Sequence, residues 1–152
     1  MAIRRAKKLD YLEIRNVFAE VHDYHLKNTN NVFKDIEPFS YDEFLELIND
    51  ENIIILVSEN VIIDGFLIAE VIEKEGRLTK KRKTLYINQL GVLKKDQHGG
   101  IGTNLVKEVE KTARNLKCDN VMLTVWAFNK KAMKFYKELN FNERTRTLEL
   151  KL

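Results

Sequence analysis

Gln97-His98-Gly99-Gly100-Ile101-Gly102 stands between two stretches of opposite periodicity. Before it, residues 84–93 read Thr-Leu-Tyr-Ile-Asn-Gln-Leu-Gly-Val-Leu, a strand-like run. After it, Ile101, Leu105, Val109, Ala113 and Leu116 recur at helical spacing. Lys107, Glu108, Glu110, Lys111 and Arg114 take the water-facing side of that helix. A strand, a glycine-rich turn and a helix N-terminus together form an anion site. Unpaired N–H groups point outward there, the helix dipole favours negative charge, and glycines let a phosphate approach the backbone. The expected ligand group is a phosphate or pyrophosphate.

Three glycine patterns compete for this turn. A P-loop requires Gly, four residues and Gly-Lys-Ser/Thr, which does not occur here. A dinucleotide fingerprint requires Gly-x-Gly-x-x-Gly. Gly100-Ile101-Gly102 supplies its first half, but Leu105 stands where the third glycine belongs. Gln/Arg-x-x-Gly-x-Gly/Ala is met in full by Gln97, Gly100 and Gly102. Downstream come Val121-Met122-Leu123-Thr124-Val125-Trp126-Ala127-Phe128-Asn129, then Ala132, Phe135-Tyr136 and Asn140-Phe141.

These residues resemble the GCN5-related N-acetyltransferase (GNAT) family, whose members move acetyl groups from acetyl-CoA to amines. The resemblance covers most of the chain, and residues 84–141 carry its specificity. Asn140 replaces the family's usual glycine before Phe141. Asn tolerates the left-handed conformation that helix C-termini often need, so the change is mild. The fold implied is mixed α/β. It has a central twisted mixed sheet with an antiparallel first half, parallel central strands that splay apart, and helices on both faces. The pantetheine arm of the cofactor lies between the splayed strands.

With 152 residues, the chain suits one domain, 1–152, with a real core. Hydrophobic content of 44% beside 32% charged residues fits a soluble globule rather than a disordered chain. No apolar run reaches the roughly 18–20 residues of a membrane span. Met1-Ala2-Ile3-Arg4-Arg5 lacks the apolar stretch of a signal peptide. The single Cys118 has no internal disulfide partner, which points to a reducing, cytoplasmic setting. A net charge of +3 is too mild to imply nucleic acid. Lys80-Lys81-Arg82-Lys83 reads as part of a solvated loop over residues 76–83, or as a patch steering an anionic cofactor or acidic partner.

The remaining chain reads as follows. Residues 2–6 form a strand. Asp10 and Glu13 make a capping box ahead of a helix that runs to Leu26. Residues 28–31 are a polar break, and Ser40 with Glu43 caps a second helix. Ile53-Ile54-Ile55-Leu56-Val57 is a buried strand. Residues 61–75 form another, with Asp64-Gly65 as a bulge or turn. Residues 120–126 are apolar on both faces and read as a central strand. Residues 130–139 are helical. Leu148, Leu150 and Leu152 alternate with Thr147, Glu149 and Lys151, the pattern of a final half-exposed strand. That strand leaves room for a homodimer, although Arg144, Arg146 and Lys151 discourage loose edge pairing.

Acetyl transfer sets four tasks: hold the pyrophosphate, polarise the thioester carbonyl, deprotonate the amine and protonate the leaving thiolate. Backbone N–H groups of His98, Gly99, Gly100, Ile101, Gly102 and Thr103 suit the first, with Gln97 supporting the turn. The resemblance assigns the carbonyl to backbone of the central strand at Leu90, Gly91 and Val92. Gly91 itself marks a bulge or a close backbone approach. Tyr136 matches the family's general acid, and a phenol is protonated at neutral pH. The alternative is a packed aromatic. Asn129 resembles a cofactor-contacting residue and is also a natural N-cap. The base is less defined, because the central strand offers Asn88 and Gln89 where many relatives carry an acid. Glu70, a water chain, and His22 or His25 are the substitutes. His22, His25 and Asn88 are candidates for the acceptor side, where residues 22–39 shape the pocket. His25 also lies on the helix's apolar stripe, so the preferred reading for it is a hydrogen-bonded core histidine.

The expected reaction moves acetyl from acetyl-CoA to a primary amine in a ternary complex. The partner is a small-molecule amine, with a peptide amine as the alternative, and neither nucleic acid nor membrane is expected. A protein acetyltransferase and a non-catalytic acyl-CoA-binding module are the rivals.

Overall fold

The computed structural model describes residues 1–30 and 32–152. Asn31, the end of the expected polar break, lies outside the described residues. Five strands form one sheet in sequence order: β1 (Ala2–Arg5), β2 (Ile53–Glu59), β3 (Ile63–Gly76), β4 (Thr79–Val92) and β5 (Asn120–Leu123). The first four pair antiparallel, and β5 joins β4 in parallel. The parallel pair is connected through α3 (Ile101–Asn115), as a helical crossover requires.

Helices cover both faces because the central strands are apolar on both. Beneath α3, the core gathers Leu56, Leu67, Leu85, Ile87, Leu105 and Val109. On the other face, α1 (Tyr11–Asn28) and α2 (Tyr41–Asn49) press Ile14, Val17 and Phe44 against Val57, Phe66 and Ile68. Ser40 and Glu43 form the expected reciprocal cap on α2, with bonds of 3.2 and 2.6 Å. Asp64 is the expected bulge, since Glu59 faces Ile63 and Ser58 faces Gly65.

Four expectations fail, each for a local reason. The Asp10–Glu13 box does not form, because both carboxylates bind other elements. Asp10 takes the Arg4 guanidinium at 2.7 and 3.1 Å and the Lys7 amide at 2.6 Å, while Glu13 accepts the Ile63 amide at 2.6 Å. Residues 76–83 are not a loop. They are the tip of a β3–β4 hairpin in which Lys81 and Lys83 pair with Glu73 at 3.1 and 3.9 Å. Strand β5 is not interior: it ends the sheet, and all four of its residues are only partly buried. The final strand is absent. Residues 142–152 carry no regular structure, and Leu148, Leu150 and Leu152 are 91%, 85% and 111% exposed.

Candidate active site

The sheet opens at the parallel pair. Ile68 faces Gln89 and Ala69 faces Ile87, so Asn88 is an extra, bulged residue in β4. Pairing between β4 and β5 stops at Ile87 and Leu123, yet β4 continues to Val92. From Gln89 to Val92, no strand among the described residues pairs with that side of β4. A wedge-shaped gap results, with backbone N–H and C=O groups of β4 along one wall. Gly91 is a close approach rather than a bulge: a Cβ there would lie 2.6 Å from Phe66 Cε1 and 2.9 Å from Val21 Cγ2. Helix α1 therefore lies directly against β4 at the gap.

The glycine turn follows a short 3-10 turn, Lys94–Asp96. His98 and Gly100 both adopt left-handed backbone, with φ of 74° and 78°. Such alternation turns successive amides toward one concavity. The first α3 amide with a turn acceptor is Asn104 N, which bonds Gly100 O at 2.9 Å. Ile101, Gly102 and Thr103 thus present free N–H groups, and Gly100 has no side chain with which to cap them. The glycines differ in cause. Gly102 is set by packing, since a Cβ would stand 3.2 Å from Phe135 Cζ. At Gly99 the protein imposes no such limit: the nearest atom to a Cβ is Asp96 O at 3.4 Å.

Gln97 fastens this turn at both ends. Its Nε2 donates to Val92 O at 3.3 Å, and its Oε1 accepts from Lys131 Nζ at 2.5 Å. Lys131 was not singled out in the sequence, where it is one of many lysines; only the fold brings its ammonium to the turn. It belongs to α4 (Lys130–Glu138), whose N-cap is Asn129. The Asn129 side chain accepts from Ala132 N at 3.0 Å, so its carbonyl serves the cap.

Tyr136 lies on α4 with Phe135 and Phe141 edge-on to it at 5.0 and 5.5 Å. Burial pushes its phenol well above the usual tyrosine range, keeping the proton on oxygen at neutral pH. Its ring packs on the α3 side of the sheet. Glu70 lies on the other side, because its neighbours Ala69 and Val71 point toward α3. It pairs with Tyr86 across β3 and β4 and is half-buried. The two candidate catalytic groups therefore lie on opposite faces of the sheet.

Two histidines of α1 meet aromatic partners. His25 donates from Nδ1 to Val21 O at 2.9 Å. His22 donates from Nε2 to Lys34 O at 2.8 Å. His25 packs against Phe33 and Phe128 at 5.6 and 6.0 Å. Phe33 meets Trp126 at 5.7 Å, and Tyr24 meets Phe128 at 5.8 Å. These rings join α1, the segment before α2 and the chain just after β5. Tyr24 and Phe33 were not singled out in the sequence, because neither belongs to a periodic stripe or motif. Asn88 is exposed at the bulge. A shallow cleft of about 310 Å³, lined by His22, Asp23, Asp35 and Glu37 among others, lies on the flank of α1 away from its sheet-facing stripe. Cys118 is half-buried, and burial pushes its thiol up, away from a reactive thiolate. Among the described residues, no cluster of ligands could hold a metal.

The family model described as acetyltransferase (GNAT) matches residues 15–141. The chain belongs to this family. Its enzyme class is accordingly that of the acetyltransferases. Among solved structures, this GNAT domain resembles the tetramutant of the BH1408 protein from Bacillus halodurans. The identity there is 26% over 100% of both chains, with a TM-score of 0.96. It also resembles the aminoglycoside 6'-N-acetyltransferase AAC(6')-IG from Acinetobacter haemolyticus, at 16% identity over 100% of this chain and 98% of that one, TM-score 0.78. The aminoglycoside N-acetyltransferase AAC(6')-Iy, solved with CoA, matches at 14% identity over 99% and 98%, TM-score 0.77. Among curated proteins none matches the chain. No helix among the described residues is long and apolar enough to cross a membrane.

Proposed function

We propose that this GNAT domain transfers an acetyl group from acetyl-CoA to a primary amine of a small molecule, by direct attack in a ternary complex. The observation that carries the reading is the coincidence of two features. The β4–β5 pair parts after Ile87, and the free amides of Ile101, Gly102 and Thr103 stand just beyond the end of β4. A flat arm fits the gap and an anion fits the turn. Gly99 supports the same fit, since the fold itself leaves room for a side chain there. His98, Gly99 and Gly100 complete the phosphate cradle, and Gln97 with Lys131 holds it against β4 and α4.

When bound, acetyl-CoA supplies a thioester carbonyl carbon open to attack. Backbone of Leu90, Gly91 and Val92 lines the unpaired wall of the gap and polarises the carbonyl. Tyr136 gives its proton to the departing sulfur. Burial keeps that phenol protonated until the thiolate forms, while making it a weaker acid. Deprotonation of the amine falls to Glu70, directly or through water, on the face of the sheet that carries α1. The rings of Tyr24, His25, Phe33, Trp126 and Phe128 form an apolar wall for the acceptor at the α1 side of the gap, with His22 and Asn88 at its rim. Two of the similar solved structures are aminoglycoside N-acetyltransferases, which supports an amine of small-molecule size.

Calorimetric titration with acetyl-CoA, with NAD and ATP as controls, tests the cradle. Binding of acetyl-CoA alone is the expected result, and its absence would remove the assignment. Tyr136→Phe should lower kcat roughly 10- to 100-fold with acetyl-CoA affinity unchanged. Undiminished kcat would remove Tyr136 from the mechanism.

A further inference from the structure

Given the acetyl transfer proposed above, on which this inference rests, we propose that the acceptor carries a carboxylate or phosphate on the order of 10 Å from its amine, held by Lys74 and Arg82 of the β3–β4 hairpin. The two strands pair Glu70 with Tyr86, Ile72 with Thr84 and Lys74 with Arg82. Side chains two residues apart on a strand share a face. Lys74 and Arg82 therefore project from the face that carries Glu70, two pairs further toward the hairpin tip. At about 3.4 Å per residue, those cations stand roughly 13 Å along the sheet from Glu70. Their long side chains span part of that distance.

The two faces of the hairpin differ in how their charges are met. On the α3 side, Glu73 holds Lys81 at 3.1 Å and Lys83 at 3.9 Å. On the Glu70 side, Lys74 and Arg82 stand directly opposite each other, and like charges so placed repel. Both are exposed, and neither has an ion-pair partner among the described residues. An anion shared between them removes the repulsion. The Arg82 guanidinium offers a carboxylate or phosphate two parallel bonds. The strip leading there is half-buried rather than sealed at Glu70, Ile72, Thr84 and Tyr86. Thr84 Oγ1 donates to Asn120 Oδ1 at 2.7 Å, and the Tyr86 hydroxyl meets Thr124 Oγ1 at 2.6 Å, which ties the strip's polar groups to the β5 side.

Glu70 likewise has no ion-pair partner among the described residues. One sheet face therefore presents a carboxylate at one end and two cations at the other. The complementary molecule has an ammonium and an anion in matching order, with a short body over Ile72 and Thr84. Its amine approaches Glu70, the base of the proposed reaction, while its anion fixes the far end. A second ammonium in place of the anion would meet Lys74 and Arg82. Amines with several positive charges are thereby disfavoured as acceptors.

Calorimetric titration of the full chain, without acetyl-CoA, tests the charge preference directly. The probes are the C-terminal amides of glycylglycylglutamate, glycylglycylphosphoserine, glycylglycylglutamine and glycylglycyllysine. They share one terminal amine and differ in charge at the far end. At least one anionic probe should bind about tenfold more tightly than the glutamine probe, an advantage that salt weakens. Which of the two does so tells carboxylate from phosphate. Lys74→Gln/Arg82→Gln should abolish the advantage with unchanged far-UV circular dichroism. Lys81→Gln/Lys83→Gln removes the same charge from the opposite face and should keep it. No binding of either anionic probe, equal affinity for anionic and neutral probes, or equal loss in the two double variants overturns the proposal. With acetyl-CoA added, the same preference should appear in KM with kcat unchanged. Charge-selective binding without acetyl transfer would defeat the proposed reaction but not the anion site, so the two failures are distinct.

Discussion

Strands β2 and β5 share one sheet but differ in how completely they are covered. In β2, Ile54, Ile55, Leu56 and Val57 are all at most 3% exposed, and Phe66 and Leu67 opposite them on β3 are sealed. In β5 no residue is fully buried, and α4, the next helix in the chain, buries none. The sealed half needs nothing from outside the chain. The open half contains the β4–β5 gap, the glycine turn and Tyr136, which together make the proposed site. Stability and chemistry are thus separated along the sheet, and a change on one side should leave the other measurably intact.

The largest effect should come from a change in the sealed half. Phe66→Ala removes a ring with no exposed surface and should cost about 3–5 kcal/mol in urea unfolding. Val121→Ala on β5 should cost only about 1 kcal/mol, because water already reaches that side chain. Similar losses at the two positions would break the comparison.

How much of this was legible beforehand follows the same division. The run from Ile53 to Val57 is buried on both faces and β-branched, so its strand is readable from residue types alone. The Ser40–Glu43 cap is equally local. The glycine turn was legible because left-handed backbone and free amides leave a mark on the sequence. Asn140, at φ of 65°, was legible for the same reason. Where residue types have two uses, the reading failed. Asp10 and Glu13 have capping spacing, but Arg4 of β1 and Ile63 of β3 take their carboxylates. Lys80 to Lys83 look like loop residues, but a long hairpin accommodates charged side chains when both its faces meet water. The apolar run of β5 gave no warning that one edge stays open. Lys131, Tyr24 and Phe33 reach the site through contacts distant in sequence, which no spacing encodes.

The glycines sharpen the comparison. Gly91 belongs to the sealed side of the gap, so Gly91→Val should lower stability by roughly 1–3 kcal/mol through its overlap with Phe66 and Val21. Gly99 lies in the open turn, so Gly99→Val should leave stability within about 0.5 kcal/mol. Its added branches would stand where phosphate oxygens approach. A loss of acetyl-CoA affinity of about tenfold, near 1.4 kcal/mol, is expected in titration calorimetry. Full affinity in Gly99→Val would separate this turn from the cofactor.

The last effect concerns the opposite edge of the sheet, which the chain ties down with its own charges. Arg4 of β1 bonds Asp10 at 2.7 Å and Glu59 of β2 at 2.6 Å, tying the first strand to both the helix entrance and its neighbour. Burial acts to raise the Asp10 pKa, but the Arg4 side-chain bond and the Lys7 amide outweigh it and hold the carboxyl below its usual 3.8. A carboxyl whose folded pKa is depressed contributes stability above its unfolded pKa. That contribution disappears as pH falls through the folded value. Asp10→Asn should therefore cost about 1–2 kcal/mol at neutral pH. The difference from the parent should hold down to about 3.8 and shrink below it. Urea midpoints of both proteins at neutral pH and on the acid side of that value decide the matter. A gap that stays constant with pH would mean that the Asp10 contribution is packing rather than charge. The edge at β1 would then be closed in the same way as the sheet's interior.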